Sequence, residues 1–228
     1  MAVKSGSGSR PSERSSVERV YRHTREAILS GTYPPGMPLR LHELAAANSV
    51  SLIPVREAIR LLEAEQLVET IPNKGARVAR LSLDDVKDAY QTRIVLEVEA
   101  LRRAYGNLTD EDLARARRLK DEMMEHFRKG DDDAGFGLHR QLHFLLYQPS
   151  RSKWMLRFIQ VLWDHSERYR RLATPLHSNL DEVGEEHVRI LDALERRDKQ
   201  AALRALRQHL HHTSQLLTMV STEGEETA

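Results

Sequence analysis

Residues 41–67, LHELAAANSVSLIPVREAIRLLEAEQL, decide the fold of the N-terminal part of the chain. Apolar residues recur at helical spacing on both sides of residues 48–50 (NSV), which predicts two short helices joined by a tight turn. The second helix follows Ser51, and we expect its N-terminal end to be exposed. Two helices in this order are typical of a helix-turn-helix, whose second helix enters the major groove of DNA.

Neighbouring segments extend this unit on both sides. Helical periodicity predicts another helix over residues 16–30. Beyond the helix pair, residues 68–71 and 76–79 have the pattern of two short strands, and residues 72–75 (PNKG) between them predict a turn. Three helices followed by a hairpin predict a winged helix-turn-helix over residues 15–80.

The rest of the chain has a helical pattern. We expect helices over residues 83–105, 109–129, 131–148, 152–172, 179–196 and 199–219. We therefore predict a mainly α protein, in which the winged helix-turn-helix with its small β-hairpin precedes an all-α antiparallel bundle of six or seven helices over residues 81–222. Residues 1–14 and 223–228 are expected to form flexible and disordered tails.

Composition narrows the class of protein. The 228 residues include no cysteine, which excludes disulfides and thiolate metal sites. No apolar run approaches the roughly 20 residues that span a bilayer, and the N-terminus lacks the apolar segment of a signal peptide. We therefore expect a cytoplasmic protein without a membrane partner. Residues 1–80 contain 12 Lys and Arg against 8 Asp and Glu, a basic balance that suits contact with nucleic acid.

Residues 16–82 resemble the DNA-binding domain of GntR-type bacterial transcription regulators. The matching stretches are YPPG at 33–36, ELA at 43–45, PVREA at 54–58, LLEAE at 61–65, LVE at 67–69 and PNKGA at 72–76. The resemblance implies a regulator, with repression as the expected mode, that binds a palindromic DNA operator as a homodimer.

Candidate DNA contacts lie on both helices of the pair, at the start of the second helix, and on the hairpin, which forms the wing. They are His42, Ser51, Leu52, Ile53, Arg56, Arg60, Lys74 and Arg77. Arg56 offers a guanidinium fork that matches guanine O6 and N7. Arg60, Lys74 and Arg77 are placed to reach phosphate or the minor groove. The alternative is that these side chains are ordinary solvated surface residues.

Two departures from the family pattern lie at this surface. His42 occupies a position where family members often carry arginine, and Leu52 and Ile53 stand where arginine and threonine are usual. Apolar side chains can touch a thymine methyl group but cannot read guanine. We therefore expect a changed operator sequence while DNA binding is kept. The alternative is DNA binding with poor sequence specificity.

Four histidines in the second half are candidate metal ligands. His139 and His143 are four residues apart in one predicted helix and share a face, while His187 and His209 lie in two further predicted helices. Imidazoles placed in this way can form a metal site in a bundle core. The alternative is that each is an ordinary core or surface residue. We expect His211 and His212 to face solvent, and His126 and His165 have no partner at metal-ligand spacing.

The second half also resembles the FCD sensing domain of the FadR-like subfamily, on residues 90–97, 136–144 and 186–210. In metal-binding members, one helix carries Asp and then His four residues later, and two later helices each add one His. His143, His187 and His209 match these histidines, and His139 stands in place of the Asp. The resemblance implies a divalent metal held by four imidazoles, with zinc as first choice and nickel or iron as alternatives.

Arg93 is the candidate effector-binding residue. By resemblance, it holds the carboxylate of a small organic-acid effector beside the metal. The alternatives from the residues alone are a buried ion pair with Glu97 or Glu99, or simple exposure to solvent. Two other functions stay open: a metal-dependent enzyme with an accessory DNA-binding domain, and a bundle in which the metal is purely structural. No HExxH motif occurs, and we assign no catalytic residue.

Overall fold

Two compact units make up the chain, Met1–Arg80 and Leu81–Ala228. The computed structural model describes residues 13–72, 74–172 and 180–225. The predicted fold class is confirmed, since helices and a small sheet form the first unit and helices alone form the described part of the second. Within these ranges, no helix combines the length and apolar character that crossing a membrane requires.

The first unit contains three helices and three strands. They are α1 (Glu13–Leu29), β1 (Pro38–Leu39), α2 (Leu41–Asn48), α3 (Leu52–Ala64), β2 (Val68–Ile71) and β3 (Gly75–Val78). The strands form an antiparallel sheet in the order β1-β3-β2, in which Leu39 lies opposite Ala76 and Val68 lies opposite Val78. The predicted hairpin is therefore two strands of a three-stranded sheet. The two residues of β1 are too few to produce an alternating pattern in the sequence.

The turn between α2 and α3 sets the direction of the second helix. Ser49 takes a left-handed conformation with φ 52°, and its N–H bonds back to the end of α2. The side chain of Asn48 donates to the carbonyl of Leu44 at 2.9 Å, which closes the helix end from inside. Val55 and Leu62 of α3 are fully buried, so the opposite face of α3 is turned to solvent.

Six α-helices and two short 3₁₀ helices, at residues 105–107 and 148–150, form the described part of the second unit. The α-helices are α4 (Leu83–Ala104), α5 (Asp110–Arg128), α6 (Asp132–Tyr147), α7 (Lys153–Leu172), α8 (Leu180–Glu195) and α9 (Lys199–Glu225). Each begins within one residue of its predicted start, and α9 runs past its predicted end. The helix starts are predictable because residues such as Thr109, which forms a capping box with Asp112, mark them in the sequence.

The predicted tails differ in part from what is seen. Residues 13 and 14 belong to α1, and residues 223–225 continue α9. Residues 1–12 and 226–228 lie outside the described residues.

Helix α4 lies at the centre of the second unit, packed against α7 and α9. Leu101 of α4, Tyr147 of α6 and Leu206 of α9 are fully buried in one apolar core. Helices α6, α8 and α9 also carry the four candidate histidines, so packing of the bundle decides whether these side chains meet.

Two glycines of α6 give a test of this packing. A Cβ on Gly135 would lie 2.6 Å from the ring of Phe127, whereas a Cβ on Gly137 meets no described atom within 4 Å. We expect Gly135→Ala to lower the free energy of unfolding by about 1–3 kcal/mol, because the Phe127 ring must leave its edge-on contact with Phe136. Gly137→Ala, the matched control, should raise it by up to ~1 kcal/mol through helix propensity. Urea unfolding measures both, and equal effects would contradict this packing.

Candidate functional site

The candidate DNA contacts are all accessible in the first unit. His42, Ser51, Ile53, Arg56, Arg60 and Lys74 are exposed, and Leu52 and Arg77 are half-buried. Ile53 is 62% exposed, which is unusual for a large apolar side chain. Asn73, in the predicted turn of the wing, lies outside the described residues.

The arginines of this surface differ in their partners. Arg60 pairs with Glu57 at 2.9 Å, and Arg77 pairs with Glu69 at 2.8 Å across the two strands of the wing. Arg56 makes no hydrogen bond or ion pair with any residue in the described ranges. Surface ion pairs are weak, so DNA phosphate can displace the carboxylates. Arg56 is free to contact DNA without losing a partner.

In the second unit, the four candidate histidines meet in the core. Ligand nitrogens of His139, His143, His187 and His209 all lie within 4.8 Å of one another, and all four residues are buried. The Nε2 atom of His187 is 3.0 Å from Nε2 of His143 and 3.1 Å from Nε2 of His139. Residues from three helices therefore converge on one point.

Three of the rings have a hydrogen-bond acceptor on the nitrogen that faces away from the cluster. His187 Nδ1 lies 2.7 Å from the carbonyl of Val183, and His209 Nδ1 lies 2.8 Å from a carboxylate oxygen of Glu186. His143 Nδ1 lies 2.9 Å from the hydroxyl of Tyr147. Metal-binding histidines are commonly oriented by contacts of this kind.

His139 has a different neighbour. Its Nδ1 atom lies 2.5 Å from Nη1 of Arg170, a residue of α7 that is only 4% exposed. The other terminal nitrogen of Arg170 bonds to Glu167, and the guanidinium lies 4.8 Å from the ring centre of Trp163. A buried cation therefore touches one side of the cluster.

Burial also sets the protonation state of these rings. It lowers the pKa of His139, His143 and His187 well below the usual 6.5, and the neighbouring cations and imidazoles lower it further. Neutral imidazole is the form that binds metal. The nitrogen donors fit a divalent ion that prefers imidazole, such as zinc, nickel or iron.

Arg93 forms a buried ion pair with Glu97, which the sequence left open as an alternative to effector binding. Its Nε donates to Glu97 at 2.6 Å and its Nη1 donates to Ser166 at 2.8 Å. Arg93 is only 1% exposed, and both partners are fully buried. Ring centres of Tyr90 and Trp163 lie 4.7 and 4.5 Å from the guanidinium. Arg93 therefore has carboxylate, hydroxyl and aromatic partners already.

A chain of contacts links Arg93 to the histidines. Glu97 accepts from Arg93 with one oxygen and from the Tyr147 hydroxyl, at 2.7 Å, with the other. The same hydroxyl faces His143. A continuous series of polar contacts therefore runs from Arg93 through two intermediate side chains to one ring of the cluster.

A small cavity opens beside the cluster. Its volume is about 40 Å³, and it is lined by Phe127, Phe136, His139, Arg170, Leu180, Val183, His209 and Thr213. Arg93 is not among the lining residues. Apolar walls with a few polar groups are typical of a small-molecule site.

Sequence reasoning missed several contributors. Arg170 lies in the run RYRRL at 168–172, where nothing distinguishes the inward arginine from its neighbours. Glu186 directly precedes His187 in the sequence, and this position was the only indication that it contacts the cluster. The prediction that His212 faces solvent was wrong, because it is half-buried and its Nδ1 lies 2.8 Å from Glu186. His165 is also buried, 2.6 Å from Asp85, whereas His211 is exposed as expected.

Known proteins match both units. Residues 16–78 match the family model of bacterial regulatory proteins of the gntR family, and residues 88–212 match the model of the FCD domain. The HTH-type transcriptional regulator BphR of Paraburkholderia xenovorans strain LB400 is 33% identical over 209 residues, which cover 86% of this chain and 83% of BphR. The HTH-type transcriptional repressor RspR of Escherichia coli K12 is 28% identical over 210 residues, 92% of either chain.

A solved structure shares the fold. The Escherichia coli protein McbR/YncC superposes with a TM-score of 0.78 over 90% of this chain and 97% of its own length. At 23% sequence identity, this likeness concerns the architecture.

The buried imidazoles predict how the stability of metal-free protein depends on pH. Unfolding returns their pKa to about 6.5, so below this pH the unfolded state binds more protons than the folded state. The free energy of unfolding of chelator-treated protein should therefore fall as the pH drops from about 7.5 to about 5.5, by up to ~1.4 kcal/mol per pH unit for each such histidine. Urea unfolding at several pH values measures this slope.

Two variants test whether the buried histidines cause this pH dependence. His139→Gln should make the slope shallower, and His211→Gln, which alters an exposed ring, should leave it unchanged. Stability that is flat or rises on acidification would contradict burial of neutral imidazoles.

Proposed function

We propose a function from one premise: the chain belongs to the GntR family of bacterial regulatory proteins and carries an FCD domain in its C-terminal unit. It is a transcriptional regulator with a DNA-binding helix-turn-helix, and the predicted resemblance to the FadR-like subfamily is confirmed. In finer terms, we propose a cytoplasmic repressor whose operator affinity changes when a small organic acid binds beside a divalent metal in the second unit. The relative RspR is named a repressor, and this supports repression as the mode of regulation.

Residues 15–80 form the proposed DNA-binding domain, and residues 81–222 form the proposed sensing domain. On the first, Arg56 is the proposed reader of a base edge, because it is exposed and unpartnered among the described residues. Lys74, Arg60 and Arg77 are proposed phosphate contacts. His42, Ser51, Leu52 and Ile53 complete the surface that meets DNA, and the exposed Ile53 suits contact with a thymine methyl group.

The observation that carries the sensing role is the buried cluster of four histidines. Uncharged imidazoles that face one another in a core bring ring lone pairs close together, a costly arrangement unless a cation is shared. We propose that His139, His143, His187 and His209 surround a divalent metal, with zinc first and nickel or iron as alternatives. When bound, the metal supplies a Lewis-acid position for an oxygen of the effector.

For Arg93 the contacts support an indirect role. Its guanidinium is held by Glu97 and Ser166 and does not line the cavity. We propose that Arg93 holds Glu97, Glu97 holds the Tyr147 hydroxyl, and this hydroxyl keeps His143 in its orientation. The effector then binds on the cavity side of the cluster.

A homodimer is proposed for the second unit. Trp154, Phe158 and Val161 lie on one face of α7, and Val95 lies on α4, which packs against α7; these four side chains are 43% to 66% exposed. A second copy is the proposed partner, because a palindromic operator is read by a two-fold dimer.

The dimer is tested by sedimentation equilibrium. Phe158→Glu should shift the mass toward that of a monomer, since a buried unpaired charge opposes association. Leu61→Glu is the matched control, because Leu61 is an exposed apolar residue of the first unit, and it should leave the mass unchanged. A dimer that survives Phe158→Glu, together with Trp154→Glu, would contradict this surface.

Operator binding tests the function as a whole. An operator selected from random DNA should bind the wild-type protein, and Arg56→Ala should weaken binding by about 1–3 kcal/mol because one bidentate base contact is lost. Glu57→Ala is the control at the next exposed residue of the same helix, and it should not weaken binding, because it removes a carboxylate that pairs with Arg60. Fluorescence anisotropy measures each affinity.

The proposed response to metal and effector is tested with the same DNA. A chelator, and a panel of small organic acids added to metal-loaded protein, should each change the operator affinity. Unchanged affinity under both treatments would remove the sensing role and leave a purely structural metal.

A further inference from the structure

The hydrogen bonds on the outer ring nitrogens fix which nitrogen of each histidine carries the proton. A neutral imidazole has one N–H and one lone pair. The Val183 carbonyl can only accept, so His187 holds its proton on Nδ1. The Glu186 carboxylate has the same effect on His209. The Nε2 atoms of both rings are therefore lone pairs.

His143 follows the same rule through one more step. The Tyr147 hydroxyl donates its proton to Glu97 at 2.7 Å, so it accepts from His143 Nδ1 at 2.9 Å. His143 Nε2 is then a lone pair, and it faces the Nε2 lone pair of His187 at 3.0 Å. Two lone pairs at this distance repel each other unless a cation lies between their donors.

His139 is the exception. Arg170 Nη1 lies 2.5 Å from its Nδ1, and a guanidinium has N–H donors but no acceptor. His139 Nδ1 must therefore accept, which puts the ring proton on Nε2. That Nε2–H is directed at Nε2 of His187, 3.1 Å away. A protonated ring nitrogen has no lone pair to give to a metal.

Arg170 is not placed to move aside easily. It is 4% exposed, Glu167 holds its other terminal nitrogen, and the rings of Phe136 and Trp163 lie against the guanidinium at 5.6 and 4.8 Å. Its Nε has no hydrogen-bond partner in the described part of the chain although it is buried. Both His139 and Arg170 line the 40 Å³ cavity.

Metal binding would leave the His139 N–H without its present acceptor. Once the Nε2 lone pair of His187 is committed to a cation, the Nε2–H of His139 needs another acceptor. Arg170 also lines this cavity, and its buried Nε–H, which has no hydrogen-bond partner in the described part of the chain, needs an acceptor as well. Two donors of this kind, one of them cationic, suit an oxyanion.

We infer that His143, His187 and His209 hold the metal, and that His139 with Arg170 forms a separate site for the carboxylate of a small organic acid. This inference rests on the proposed metal-dependent function, and it divides the four histidines between two roles. The cavity of about 40 Å³ admits a carboxylate group, because one water needs only ~10–15 Å³ on this measure. Metal and anion then bind cooperatively. The metal takes the His187 lone pair that accepts from His139, and the anion supplies a new acceptor for His139.

The test uses the full chain loaded with cobalt(II), whose visible spectrum reports its ligands, and acetate as the probe anion. His143→Gln, His187→Gln and His209→Gln should each weaken cobalt binding by on the order of 100-fold or more, as expected for lost ligands. His139→Gln should change it by less than ~10-fold and keep a stoichiometry of one. The acetate-induced spectral change should need ~10-fold more acetate in His139→Gln, because a hydrogen bond to a charged group is lost.

Arg170→Gln provides a variant that leaves every histidine in place. It should keep cobalt binding and lose the response to acetate, and circular dichroism confirms that each variant is folded. Loss of cobalt from His139→Gln as severe as from the other three would overturn the inference, as would an undiminished acetate response in Arg170→Gln.

The outcomes separate this inference from the proposed function. If wild-type protein binds cobalt through four equivalent histidines and still changes its operator affinity, only the division of roles fails. If wild-type protein takes up neither cobalt nor zinc, the proposed metal-dependent function fails and the inference fails with it.

Discussion

A buried imidazole has two ring nitrogens and, when neutral, a single proton, and this constraint governs the centre of the second unit. Each ring must find an acceptor for its N–H and a donor or cation for its lone pair, because an unmet polar group in a core costs about 1–3 kcal/mol. Val183, Glu186 and Tyr147 supply the acceptors for three rings. Packing of the bundle around α4 then brings the three remaining lone pairs to one point.

The same constraint explains why the surroundings of the cluster are polar. Arg93 and Glu97 are almost completely buried, and a buried ion pair is weak evidence for stability on its own. Here Glu97 also accepts from Tyr147, which fixes the direction of the hydroxyl that His143 faces. The ion pair is therefore part of the series of contacts that reaches His143, the ring that we propose as a metal ligand.

Much of the fold could be predicted from periodicity and caps. Helix starts in the second unit were predicted to within one residue, because residues such as Thr109 satisfy the first N–H groups of a helix and are visible locally. Strand β1 was missed, since its two residues form a strand only by pairing with β3. His143, His187 and His209 were recognisable by spacing together with family resemblance. The position of Arg170 depends on which face of α7 turns inward, and this is set by tertiary packing that RYRRL does not encode locally.

The two units differ in how their cations are used. In the first, Arg56 is exposed without a partner in the described ranges, as suits a group that waits for DNA. In the second, Arg93 and Arg170 are buried and held by carboxylates and aromatic rings, as suits groups that position other side chains or a small anion. A regulator needs both kinds of site, one exposed to a macromolecule and one closed around a ligand.

Nitrogen–proton correlation NMR of the histidine side chains measures directly which ring nitrogen carries the proton. In metal-free protein near neutral pH, we expect His143, His187 and His209 to be protonated on Nδ1 and His139 on Nε2, since only His139 faces a donor. Zinc should then shift the Nε2 signals of the first three and leave the Nε2 proton of His139 in place. A His139 that is protonated on Nδ1, or that loses its Nε2 proton when zinc binds, would contradict the account.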